Sequence, residues 1–220
     1  MKQKVMRGLI YCIGMIVLAA GISLNTKTGL GVSPIISVAY CVSEYTGFNF
    51  GDMTFLLYVI FVAAEFALRG RRSHWYDLLQ LPLSLVFSRF LNIFGSLVTY
   101  TSSEHSLISN LALLALAIVL TGIGICMTVN MQLVPNPGDG IVQALAEKTG
   151  WKQGFAKNVF DIGSVCVTVI LGLILMHRVV GINMGTLCAM LGVGRVVALT
   201  NRLTKKQMCS AAGLSQAAAA

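Results

Sequence analysis

Six apolar runs, at residues 8–24, 53–68, 78–99, 107–128, 158–177 and 180–200, constrain this chain more than any other feature. Each is long enough, or nearly so, to cross about 30 Å of hydrocarbon as a helix rising 1.5 Å per residue. The rest of the composition agrees. Hydrophobic residues make up 56% of the chain and charged residues 11%, against about 25% charged in an average soluble domain. So little charge cannot cover the surface of a soluble fold. A soluble enzyme is excluded, and so is a nucleic-acid reader, despite the net charge of +8. The expected fold is an all-α polytopic membrane protein with six transmembrane helices and the lipid bilayer as its first partner. Lys2, Lys4 and Arg7 ahead of span one resemble a signal peptide, but no small-x-small cleavage site follows, so the segment is read as a span.

Basic residues orient the spans. Lys2, Lys4 and Arg7 precede span one, and Arg69, Arg71 and Arg72 fill the loop between spans two and three. Lys148, Lys152 and Lys157 precede span five, and Arg202, Lys205 and Lys206 follow span six. Even numbers of crossings separate these four clusters, so they share a face; the other face has Lys27, Arg178 and the loop around Glu104. This asymmetry marks the clustered face, and both termini, as cytoplasmic in a multi-pass protein of the inner membrane.

The chain also repeats itself at an offset of 103 residues, so that residues 21–51 align without gaps on 124–154. Gly21, Leu30 and Pro34 fall on Gly124, Leu133 and Pro137. Glu44, Thr46, Gly47 and Gly51 fall on Glu147, Thr149, Gly150 and Gly154. Shared apolar composition does not produce matched Pro, Glu and Thr-Gly at fixed spacing. The reading is a first repeat at 1–103, a second at 104–202 and a cytoplasmic tail at 203–220. Each repeat holds three spans, an odd number, so the second enters the membrane from the opposite side, as in many transporters.

After its first span each repeat carries a short helix, predicted at 34–45 and 137–148. Proline opens each one, Ser33 and Asn136 suit the N-cap, and Gly47 and Gly150 suit the exit. At about 17 Å such a helix is too short to span, so it is re-entrant or interfacial. A re-entrant pair would aim unpaired N–H groups at a common site that favours an anion or a carbonyl oxygen.

The twin segments LGVSPIISVAYCVSEYTGFNFGD and NPGDGIVQALAEKTGWKQGFAKN, with INMGTLCAMLGVGR in span six, resemble the YczE/YyaS/YitT group of bacterial integral membrane proteins. The resemblance extends to about residue 200. It implies a polytopic protein of the cytoplasmic membrane and carries over no substrate and no catalytic residue. The first motif has Ile36 where the second has Asp139.

Charged groups inside spans are costly and mark functional positions. Glu65 and Asp77 lie at span ends, within reach of headgroups or of Arg69, Arg71 and Arg72. Arg89 sits about 12 residues into span three and shares a helical arc with Ser84, Ser88 and Asn92, which is expected to point inward. Arg195 in span six is its expected counterpart, and a structural ion pair of Asp161 with Arg195 is expected, with Asp139 competing. The expected solute site comprises Ser33, Pro34, Asn136, Pro137, Gly138, Asp139, Arg89 and Arg195. No metal, cofactor or catalytic role is expected: His74, His105 and His177 lie in separate loops without ligand spacing. The function expected is a small-solute transporter or channel, with two alternatives. One is a non-transporting regulatory or assembly protein, alone, self-associated or with a partner membrane protein; the other is a substrate-binding subunit of a larger transporter.

The orientation is testable on a cysteine-free background. Cysteine placed at position 103 should react with an impermeant maleimide from outside intact cells, and cysteine at position 152 only after permeabilisation. The opposite pattern would overturn the orientation.

Overall fold

A computed structural model describes residues 2–70 and 75–214, and they form eight α-helices with short 3-10 turns. These are α1 (Lys2–Lys27), α2 (Pro34–Thr46), α3 (Phe50–Arg69), α4 (Gln80–Leu97), α5 (Leu107–Asn130), α6 (Pro137–Thr149), α7 (Gln153–Met176) and α8 (Met184–Ala211). All but α2 and α6 belong to the six segments long and apolar enough to cross a membrane. Arg71, Arg72, His74 and the terminal alanines lie outside the described residues.

The short helices begin and end where local chemistry dictates. Pro34 and Pro137 occupy the first turn, where an N–H has no partner to lose. The Asn136 side chain accepts the Gly138 N–H at 3.0 Å, whereas Ser33 makes no side-chain cap bond. Gly47 and Gly150 both take a left-handed φ of 73°. That conformation favours glycine and stops each helix.

These helices dive into the bundle from opposite ends. The last residues of α1 and α2 and the first of α3 line one pocket, through Thr26, Lys27, Ser43, Glu44 and Phe50. The C-terminal end of α6 lies at the other end, where Glu147 meets Arg69 at the close of α3. Their N-termini meet in the middle: a Cβ on Gly138 would lie 2.7 Å from the Ile35 side chain.

Around them, α1 crosses α5 closely. A Cβ on Gly21 would lie 2.6 Å from the Thr121 backbone nitrogen, and one on Gly124 would lie 2.5 Å from that of Leu18. Small residues allow such approach where lipid gives helices little hydrophobic reason to associate. Next to this crossing, α2 packs on α7 and α6 on α3. Ser37 and Thr168 hydroxyls meet at 2.6 Å in the first contact, and Gly140 faces Glu65 in the second. Helix α4 packs on α1 and α3; α8 packs on α5 and makes next to no contact with α7.

The sixth span departs from expectation. Residues from 203 onward were expected as a tail, but α8 continues to Ala211. Cys209 and Ala212 are buried there, Met208 and Leu214 pack on the core, and Gly213 lies against the Gln3 side chain. An apolar stripe on this helical turn draws it onto the bundle despite Lys205 and Lys206.

Enlarging the crossing glycines should be costly. Gly21→Leu or Gly124→Leu should lower stability by about 1–3 kcal/mol or more, since the clash is with backbone. Gly163→Ala, with nothing near its added Cβ, should be neutral or gain up to about 1 kcal/mol. Reversible denaturation in mixed micelles reads both.

Candidate functional site

A cavity of about 200 Å³ occupies the space where the two short helices meet. Ser33, Pro34 and Ile35 enter its wall from the start of α2, and Asn136, Gly138 and Asp139 from the start of α6. Leu18, Ile22, Ile125, Met190 and Val193 make an apolar part, while Tyr58, Asp139, Lys157, Asn158 and Asp161 make a polar one. Lys157, Asn158 and Asp161 stand on α7 and Ala189, Met190, Val193 and Gly194 on α8, so the cavity fills the gap between these helices.

Asp161 is the most constrained polar residue of the wall. It is 3% exposed, and its Oδ2 lies 3.4 Å from Nζ of Lys157, one helical turn earlier. Its Oδ1 has no hydrogen-bond partner. The backbone at the start of α6, by contrast, is satisfied. The Gly138 N–H donates to the Asn136 side chain, and those of Asp139 and Gly140 donate to the Asn136 carbonyl at 2.8 and 2.9 Å. Unpaired N–H groups were expected here for an anion. Asn136 takes them instead.

Ser33, Pro34, Asn136, Gly138 and Asp139, expected together from sequence, do line one cavity. Pro137 is turned to a smaller space of about 20 Å³ shared with Tyr11, Gln80 and Pro135. The two arginines are not brought to the site. Arg89 points off the outer face of α4, its side chain 57% exposed, and pairs with Asp52 at 3.1 Å. Ser84 and Ser88 do turn inward and are buried, donating to carbonyls of their own helix at 2.8 Å. Arg89 is one residue past Ser88, about 100° further round the helix, and that rotation carries it off the buried face.

The expected pair of Asp161 with Arg195 does not form either, since Lys157 takes the acid. Arg195 lies exposed on a helix that packs on α5 rather than α7. Tyr58, Lys157 and Asn158 were not foreseen as wall residues. A signal for Tyr58 existed: it lies 103 residues before Asp161, the offset at which residues 21–51 align on 124–154.

A second polar cluster fixes the other end of α6. Glu65 is fully buried, accepts from Gln80 at 2.9 Å and pairs with Arg69. Arg69 also reaches Asp77 at 3.3 Å and Glu147 at 3.1 Å. Pairing of Glu65 and Asp77 with Arg69 was the expected alternative to headgroup contact. The cluster ties α6 to α3 and to the approach to α4.

Over residues 5–202 the chain matches a family of unknown function, DUF6198, and it belongs to that family. It is 30% identical over 165 residues to the uncharacterized membrane protein YczE of Bacillus subtilis (strain 168), which covers 74% of each chain. To the uncharacterized protein YyaS of the same strain it is 26% identical over 147 residues, covering 66% of this chain and 72% of that one. No solved structure matches it. The resemblance read from the twin motifs is therefore a true relationship, and the chain is an integral membrane protein.

Removing one partner from a buried charge cluster leaves the other charge uncompensated. Arg69→Met should therefore cost about 3–5 kcal/mol of stability. Adding Glu65→Gln to Arg69→Met should restore part of that loss, as read by denaturation in mixed micelles. Additive losses would show that the two residues act independently.

Proposed function

We propose that this protein is a small-solute transporter or channel of the cytoplasmic membrane, with both termini inside, and that its solute binds in the cavity between the two short helices. The observation that carries this reading is the cavity itself. It lies at mid-bundle and brings together two helix starts and buried charge. Interrupted backbone and ionisable groups at membrane depth are costly and are tolerated where they line a wet or ligand-filled space.

The same reading takes the chain as two inverted repeats, 1–103 and 104–202. A two-fold axis makes contacts reciprocal: if one residue touches another, their counterparts touch as well. Gly21 on Thr121 and Gly124 on Leu18 are such a couple, since 103 residues separate Leu18 from Thr121 and Gly21 from Gly124. The contacts of Ser37 with Thr168 and of Gly140 with Glu65 are another couple at the same offset. Inverted repeats with a mid-membrane site at broken helices are a common transporter plan. The basic residues clustered on one face, eleven with Lys157 of the cavity wall set aside, against Lys27 and Arg178 on the other, support the orientation.

Uptake into proteoliposomes tests the reading. A panel of radiolabelled small amines, carboxylates and sugars should include at least one solute whose uptake depends on the protein. Gly194 lines the cavity, and an added Cβ there meets nothing within 4 Å. Gly194→Trp therefore puts an indole at the cavity wall without a clash at its Cβ. It should cut that uptake about tenfold or more, equivalent to roughly 1.4 kcal/mol or more, at unchanged thermal stability. Uptake that is absent across the panel, or indifferent to Gly194→Trp, would sink the proposal.

A further inference from the structure

We infer that the cavity between α7 and α8 binds a small organic amine in its ammonium form, with an apolar body lying against α1, α5 and α8. The inference names the substrate class for the transporter reading and rests on the same cavity.

Asp161 lines the cavity, and its Oδ1 is buried and has no donor. Asp139 lines the same cavity, and among the described residues no hydrogen bond reaches its carboxylate. Three carboxylate oxygens thus lack donors, and a primary ammonium carries three N–H groups. Lys157 is held by Asp161 Oδ2 and leaves two acids facing one base. Carboxylate oxygens held away from water without donors are costly, which makes an incoming cation favourable.

An anion fits this wall badly. The prolines that open α2 and α6 have no N–H, and Asn136 already takes the next donors of α6. The partial positive charge at the start of α6 is offset by Asp139 in its first turn. An entering anion would find two carboxylates and few free donors.

Size and polarity set the rest of the ligand. An engineered cavity of about 150 Å³ lined by apolar residues holds benzene. A cavity of about 200 Å³ therefore has room for one ring and a short aminoalkyl arm. Leu18, Ile22, Ile125, Met190 and Val193 offer the ring an apolar bed, with the acids at its edge.

The test uses the purified full chain in detergent, with phenethylamine, the anion 3-phenylpropionate on the same phenethyl frame and the neutral 2-phenylethanol. Phenethylamine at neutral pH should raise the melting temperature in a saturable way, as a ligand specific to the native state does. The anion and the alcohol should not. In calorimetric titration, Asp161→Asn should weaken amine binding about tenfold or more. Should that variant fail to fold, Asp139→Asn and the three-ligand comparison on the unaltered protein decide. Three results would overturn the amine site. One is stabilisation by 3-phenylpropionate equal to or above that by the amine; another is amine affinity indifferent to both aspartate variants. The third is saturation of the site by sodium or potassium chloride alone, which would make it an inorganic cation site. The two readings fail separately. Amine binding without amine uptake by proteoliposomes supports the site and counts against transport. Protein-dependent uptake of another solute without amine binding leaves transport standing and removes the amine.

Discussion

Every peptide group that leaves a helix inside an apolar bundle must find a partner there, and the structure is arranged around two places where this happens. In the loop between α1 and α2, the Thr28 N–H donates to the Asn25 carbonyl at 3.2 Å and that of Leu30 to the Thr28 hydroxyl at 3.2 Å. Val32 donates to the Gly181 carbonyl at 2.8 Å, and the Leu30 carbonyl accepts from Gly185 at 2.7 Å. The loop is thus laced to the turn that opens α8. In the loop between α5 and α6, Arg7 donates to the carbonyls of Met131 and Gln132, each at 2.6 Å, and Tyr11 to that of Val134 at 2.9 Å. Here the partners come from α1. These bonds permit the chain to break mid-bundle, and the breaks in turn create the cavity.

The packing around the two breaks differs in a way that places the opening. On one side, Tyr58 of α3 stacks near Phe87 of α4 with ring centres 6.2 Å apart, and both side chains are buried. That interface is full. On the other side, α7 presents Lys157, Asn158 and Asp161 to the small or flexible Ala189, Met190 and Gly194 of α8, and the helices stay apart. Large aromatic rings close one gap; charge and small side chains keep the other open. On the proposed inverted-repeat plan, closing the α7–α8 gap while parting α3 from α4 would turn the site toward the other face.

Much of this was legible from sequence, for physical reasons that also explain what was not. The six spans follow from hydropathy alone, and the short helices end within one residue of expectation because proline and left-handed glycine act locally. The cavity residues Ser33, Asn136 and Asp139 were named because a re-entrant pair of half-helices would bring their starts together. Arg89 and Arg195 were misplaced for a different reason. Which face a spanning residue presents depends on the neighbours of its helix, and lipid is as apolar as the core, so the hydrophobic pattern around a span says little about its inner side. Nothing local reveals that α8 leans on α5 instead of α7. Lys157 was counted as a topology signal, which hid its place one turn before Asp161.

The two charged clusters touching α6 are built to opposite ends. Glu65 is buried opposite Gly140 but answered by Gln80 and Arg69, and Arg69 is in turn shared with Asp77 and, at the C-terminal side of α6, with Glu147. On the proposed repeat, the corresponding residue of α7 is Thr168, a neutral hydroxyl bonded to Ser37. A charge in this slot is therefore not required for helices to pack, and where one is present the protein surrounds it. Three buried side-chain oxygens among the described residues lack partners, on Asn25, Gln80 and Asp161. The first two belong to neutral amides, for which the cost is modest; the third is a carboxylate, for which it is large. A fold that answers Glu65 so fully has the means to answer Asp161. It leaves the Asp161 Oδ1 without a donor in the wall of a cavity that Asp139 also lines, where two helices meet whose ends are otherwise tied down. On the proposed amine site, that oxygen is held in a fixed frame, with its geometry set before a ligand arrives.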